Sequence, residues 1–174
     1  IDTYDQMAIG GTENPEIVYG FGVNLRWKEL DFGAMFQGIG RTWRILSSNI
    51  MPASNKGSMY NIFDNYQDRW TVDNQSQDVF YPRADYGPNA NNSQKSTWWL
   101  RNMSFLRLKN LELGYSCPKK WLQGFVISNA RVFVRGTNLL TFSKFNLWDP
   151  ELATGDGAKY PAMKSVSVGF DITF

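Results

Sequence analysis

The chain has 174 residues, enough for one sizeable domain, and carries 18 Lys and Arg against 16 Asp and Glu. That near balance leaves no nucleic-acid or polybasic membrane-surface footprint. The absence of His removes Ser-His-Asp and Cys-His triads and every His-containing metal site, and the single Cys, Cys117, rules out an intrachain disulfide. No apolar run approaches the roughly 18 residues of a transmembrane helix. The negative mean hydropathy does not argue against a membrane barrel, whose strands alternate and whose loops are polar. Aromatics at 16%, with 7 Trp, suit barrel girdles and sugar-binding surfaces alike.

The first predicted strand runs from Glu16 to Trp27. Tyr19, Phe21, Val23, Leu25 and Trp27 share one face, and Gly20, Gly22, Asn24 and Arg26 the other. Steps of about 3.3 Å between Tyr19 and Trp27 give roughly 26 Å, or about 20 Å of height at a tilt of about 40°, close to a barrel's apolar band. Past a tight turn at Lys28-Glu29, Leu30, Phe32, Ala34 and Phe36 oppose Asp31, Gly33, Met35 and Gln37. The connection from Arg41 to Ser104 is too long for an ordinary structureless loop. Its aromatics (Trp43, Tyr60, Phe63, Tyr66, Trp70, Phe80, Tyr81, Trp98, Trp99) predict a folded segment rather than disorder.

A third strand sets Leu111, Leu113 and Tyr115 against Asn110, Glu112 and Gly114. Upstream, Leu106-Arg107-Leu108-Lys109 breaks that parity, so either a bulge resets the face or the basic residues sit at the rim. A fourth strand sets Val132 and Val134 against Arg131, Phe133 and Arg135. A second long connection, Leu140 to Met163, follows. Its Asp149-Pro150-Glu151 reads as a Pro-rigidified turn with capping acids rather than a metal site or a glycosidase carboxylate pair. The chain then closes on Val166, Val168, Phe170, Ile172 and Phe174 alternating with Ser167, Gly169, Asp171 and Thr173. Taken alone, this last strand fits either a soluble β-sandwich or an outer-membrane barrel whose terminal aromatic sits in the interfacial girdle.

Single-chain bacterial barrels have an even number of strands and at least eight, so about five antiparallel strands cannot close. The expectation is an all-β C-terminal segment, residues 1–174, of a larger transmembrane barrel with long extracellular loops. A final strand descending to the periplasm puts the Lys28-Glu29 turn on the periplasmic side and both long connections outside. The Ser116 to Asn129 connection is long for a periplasmic turn. The apolar faces should meet lipid. The predicted lumen set, Asn24, Arg26, Asp31, Gln37, Asn110, Glu112, Arg131, Arg135, Lys164 and Asp171, mixes both signs, which suits neutral glycans or peptides better than a charged substrate.

Several words occur in order along the chain: Arg69-Trp70-Thr71 with Asn74, then Tyr81-Pro82-Arg83, and Trp99-Leu100 before Phe105-Leu106-Arg107-Leu108-Lys109-Asn110. Leu113-Gly114-Tyr115, Asn138-Leu139 with Thr141-Phe142-Ser143-Lys144, Asp149-Pro150-Glu151, Tyr160-Pro161 and Gly169-Phe170 with Phe174 follow. Together they resemble the C-terminal end of SusC/RagA-type TonB-dependent outer-membrane transporters, over nearly the whole chain. The resemblance implies a many-stranded barrel in the bacterial outer membrane and a TonB complex engaged through a plug and TonB box not present in these residues. It also implies a SusD-like lipoprotein lid and oligosaccharide or peptide cargo, with no enzyme activity and no cofactor. On that reading Trp70, Trp98, Trp99 and Trp148 are the candidate cargo contacts, one of Trp98 and Trp99 being loop core, and Phe174 is a barrel-insertion signal. The competing reading is a soluble β-sandwich carbohydrate-binding module presenting Trp98, Trp99 and Trp148.

Overall fold

The computed structural model describes residues 3–47, 50, 63–84 and 89–174. Its elements are β1 (Ile17–Trp27), β2 (Leu30–Gly40), β3 (Trp43–Ile45), β4 (Leu100–Asn102), β5 (Phe105–Ser116), α1 (Lys119–Leu122), β6 (Asn129–Ser143) and β7 (Ser165–Thr173). The long strands form one five-stranded sheet in the order β1-β2-β5-β6-β7, every neighbouring pair antiparallel, and β3 pairs with β4 in a small second ladder. No helix among the described residues is long and apolar enough to cross a membrane.

Register carries the alternation across all five strands. Leu25 faces Phe32, Phe32 faces Leu113, Leu113 faces Val134 and Val134 faces Val168. Phe21 and Phe36 stack at 5.1 Å on the same face. One face of the sheet is therefore continuously apolar. It packs against no second sheet among the described residues, and Phe170 on it is 74% exposed. A sandwich buries this face between sheets, and here it is the outer one.

The parity break before Asn110 is a bulge. On both sides of β5 the pairing skips Lys109, so that Leu108 faces Phe36 and Leu140 while Asn110 faces Met35 and Thr137. On the β6 side Asn138, at a φ of 52°, is passed over as well. Leu106 and Leu108 thereby rejoin the apolar face, and Arg107 faces Gln37 and Thr141 on the polar one.

Two sequence expectations are corrected here. β6 continues through Leu140, Thr141, Phe142 and Ser143, so the second long connection starts only after Ser143. The irregularity at Asn138 hides that continuation from a simple alternation count. Lys164 precedes β7 and has the parity of Val166, not of Ser165, so it does not belong with the lumen set.

Within the sheet the buried apolar residues are Ala34, Phe105 and Leu108. The buried apolar cluster of Leu46, Ile50, Tyr81, Trp99, Met103 and Phe145 lies in the two long connections, with Ile45, Tyr66, Phe80, Trp98, Leu147 and Trp148 packed around it. Both connections leave and rejoin the sheet at one end, so that end carries a folded cap. Tyr60 lies outside the described residues. The opposite end carries the Lys28-Glu29 turn and the connection holding α1.

Candidate functional site

The cap is built on the β3–β4 ladder. Leu46 N–H donates to the Trp99 carbonyl at 2.9 Å, and Met103 N–H to the Thr42 carbonyl at 2.9 Å. The Trp99 indole N–H donates to the Asn92 carbonyl at 2.8 Å, and its ring meets Phe80 and Tyr81 edge-on, each at 6.3 Å. Burial pushes the Tyr81 phenol above its ordinary value. Ser47 N–H donates to the Gly155 carbonyl at 2.8 Å, joining the first connection to the second, where Phe145 and Trp148 meet at 4.8 Å.

The four candidate tryptophans do not share one fate. Trp99 is 1% exposed, its surface spent on cap packing, so it is not a cargo contact as folded. Its predicted role is corrected to loop core, the place foreseen for one member of the pair. Trp98 is half-buried and donates its indole N–H to the Phe80 carbonyl at 3.0 Å. It lines a cleft of about 400 Å³ with Asp68, Gln77, Asp78, Phe80 and Arg101. The Arg101 guanidinium lies 5.0 Å from the Phe80 ring and donates to the Trp98 carbonyl at 2.6 Å, and burial lowers its pKa. Trp70 stands apart from the buried cluster, half-buried, under the Arg83 guanidinium at 5.8 Å. Trp148 is half-buried over Gly157, and its indole N–H is closed to solvent without an acceptor among the described residues.

An ionic anchor joins the cap to the polar face of the sheet. Asp149 caps the short turn Pro150–Leu152, its Oδ1 accepting from Glu151 N–H at 3.0 Å, as the Pro-rigidified reading expects. The same carboxylate pairs with Arg107, and Glu151 accepts from Arg107 at 2.8 Å and from Lys109 at 2.7 Å. Sequence reasoning missed these pairs. Two bases breaking the parity of one strand, with two acids in a later turn, were the available signal.

Toward the turn end, the polar face carries a second charge cluster around Arg131. Its Nε donates to Asp31 across the intervening β5 at 3.0 Å, and its Nη2 to Glu112 at 2.6 Å, while Asp171 lies 3.5 Å from Nη1. Arg135 donates to the other Glu112 oxygen at 2.6 Å, and the Phe133 ring lies between the two guanidiniums at 5.0 and 5.3 Å. Gly114 makes this reach possible, because a Cβ there would fall on both the Arg131 guanidinium and the Asp31 carboxylate. Asn24, Arg26, Gln37 and Asn110 share this face by register. Its mixed charges are largely paired with one another, so the wall presents polar groups without a single-sign field. No group of His, Cys, Asp and Glu able to hold a metal occurs among the described residues.

No protein-family model matches the chain. Among curated proteins it is 31% identical to TonB-dependent receptor P26 of Formosa agariphila, aligned over 98% of this chain and 18% of that protein. It is 33% identical over 81 residues, 45% of the chain and 8% of the relative, to TonB-dependent receptor SusC of Bacteroides thetaiotaomicron. Among solved structures, the RagAB peptide importer in its closed-closed state superposes at a TM-score of 0.79 and 33% identity, covering 100% of this chain and 19% of that one. The chain is part of a SusC/RagA-type TonB-dependent receptor. It spans about a fifth of the length of the relatives it matches. The five-stranded sheet is a stretch of such a receptor's barrel wall, in the outer membrane of a Gram-negative bacterium. The exposed apolar face and the polar face lie on opposite sides of that wall, and the cap stands at one rim. None of these relatives is named as an enzyme.

Proposed function

We propose that the chain is the C-terminal portion of the barrel of a nutrient importer. It takes up oligosaccharides or peptides together with a SusD-like surface lipoprotein, driven through the TonB complex by regions outside these residues. What carries this reading is a folded, aromatic-rich cap on one rim of a lipid-facing wall. Short turns of such barrels face the periplasm and long loops the exterior, so the cap faces outward, where cargo and lipoprotein arrive. The cap's role is capture and docking, and no residue in it is assigned a catalytic role. Trp98, beside the Asp68, Asp78 and Arg101 cleft, is the foremost cargo contact, with Trp70 and Trp148 secondary. The relatives' printed names include a peptide importer, and the mixed, self-paired lumen face suits neutral cargo of either class.

The test replaces residues 41–104 of the full-length receptor with a short Gly/Ser linker and measures lipoprotein co-purification and uptake. Loss of both in a well-inserted protein is the expected result. A bound lipoprotein and unchanged uptake would overturn the assignment.

A further inference from the structure

The connection between Ser116 and Asn129 is longer than a strand reversal needs, since β1 and β2 reverse through Lys28-Glu29 alone. Its extra residues are not polar filler. Trp121 is 61% exposed, Phe125 70% and Val126 85%, and the neighbouring Lys119 and Lys120 are exposed as well. The segment is shaped locally: Trp121 N–H donates to the Pro118 carbonyl at 2.9 Å and Phe125 N–H to the Leu122 carbonyl at 3.1 Å. Gly124, at a φ of 96°, allows the reversal between them. Cys117 N–H ties the base of the segment to the Ala130 carbonyl of β6 at 2.7 Å.

This patch continues the exposed apolar face of the sheet. The residue before Ser116 is Tyr115, on the apolar face, and Trp27 and Phe174 lie exposed at the same end of the sheet. The Trp27 ring is already partnered by a cation, the Lys28 ammonium, at 5.0 Å. Trp and Phe beside Lys is the composition that settles at a headgroup boundary, rings among the upper acyl chains and ammonium groups at the phosphates. Left in water, three large apolar side chains together form a patch without a use.

We propose that Lys119, Lys120, Trp121, Phe125 and Val126 form an interfacial foot that binds anionic phospholipid at the rim opposite the cap. Lys119 and Lys120 meet the phosphates, and Trp121, Phe125 and Val126 enter the apolar boundary beneath them. The foot fixes the depth of this part of the wall together with Trp27 and Lys28 at the tight turn between β1 and β2. The inference rests on reading the sheet as barrel wall.

Spin labels on Val126→Cys and Val168→Cys, each in a full-length receptor cleared of its other cysteines, Cys117 included, test it in phosphatidylcholine liposomes with and without phosphatidylglycerol. The Val168 label, on the lipid face of β7, should favour oxygen over a water-soluble nickel chelate in both membranes. If it does not, the wall reading fails and the foot with it. The Val126 label should also favour oxygen, and sit deeper when phosphatidylglycerol is present. A Lys119→Glu, Lys120→Glu double substitution should abolish that dependence and leave the Val168 label unchanged. With Val168 in lipid, a Val126 label open to the nickel chelate would place the segment in water. One reached by neither reagent would place it against protein. Either result, no phosphatidylglycerol effect with both lysines present, or an unaltered effect in the double variant overturns the foot.

Discussion

Arg107 of β5 forms an ion pair with Asp149 of the β6–β7 connection at a place where the arginine is only 1% exposed. This contact fastens the cap to the wall. With Glu151 on the other side of the guanidinium and Lys109 on Glu151, two acids of one turn are matched to two bases of one strand. A buried pair is costly to desolvate and still costlier to break on one side, because the survivor is left uncompensated.

Replacing Arg107 with Ala should therefore cost about 3–5 kcal/mol of cap stability. Limited proteolysis of the full-length receptor should show earlier cleavage within residues 144–163. An Arg107→Met, Asp149→Leu double variant should be cut more slowly than Arg107→Ala, since it leaves no single buried charge. Equal protection of wild type and Arg107→Ala would show the pair to be dispensable.

Trp98 and Trp99 should separate recognition from folding. Trp99→Ala removes a buried ring and should cost about 3–5 kcal/mol, read as lost protection of the cap. Trp98→Ala should leave the cap protected and weaken cargo binding, measured by titration of the purified receptor–lipoprotein complex. Unchanged binding with Trp98→Ala would remove this residue from the cargo site.

Gly114 should not tolerate a side chain. Gly114→Val forces apart Arg131 and Asp31, and overpacking of this kind costs about 1–3 kcal/mol. The folded barrel should lose its resistance to unfolding in warm detergent at a lower temperature than wild type. An identical transition would mean that the wall relaxes freely around the substitution.

Phe174 is exposed just beyond β7, and we propose that it acts in assembly rather than in stability. Phe174→Asp should reduce the amount of receptor inserted in the outer membrane without changing its transcript. Normal surface levels would dismiss the role.

Period-two alternation is a local property, and it was legible wherever a strand ran unbroken, as from Tyr19 to Trp27 and from Val166 to Phe174. It failed at Lys109 and Asn138, where the ladder omits residues and a parity count loses its phase. That is why β6 reads as ending before Leu140, and why the face of Leu106 and Leu108 stayed open. The β3–β4 ladder joins three-residue strands from the two ends of a long connection, too short for any alternation to announce. Trp98 and Trp99 are adjacent and chemically alike, so only tertiary packing decides which is buried. The Arg107–Asp149 pair joins a strand to a distant turn, and the parity break at Arg107 and Lys109 was its one local sign, naming no partner. The Asp149-Pro150-Glu151 turn was legible because its capping is built from its own residues.

The central claim is that one face of this sheet lies in lipid and the other lines a lumen. Arg substitutions at Val168 and Ser167, adjacent on β7 and opposite in parity, test it most directly in the full-length receptor. Arg at Val168 should cost about 2–4 kcal/mol near the bilayer midplane and sharply reduce the inserted, heat-resistant barrel. Arg at Ser167, beside Arg135 on the lumen face, should leave most of it in place. Equal tolerance of both substitutions, or greater loss with Ser167→Arg, would contradict the assignment of the faces.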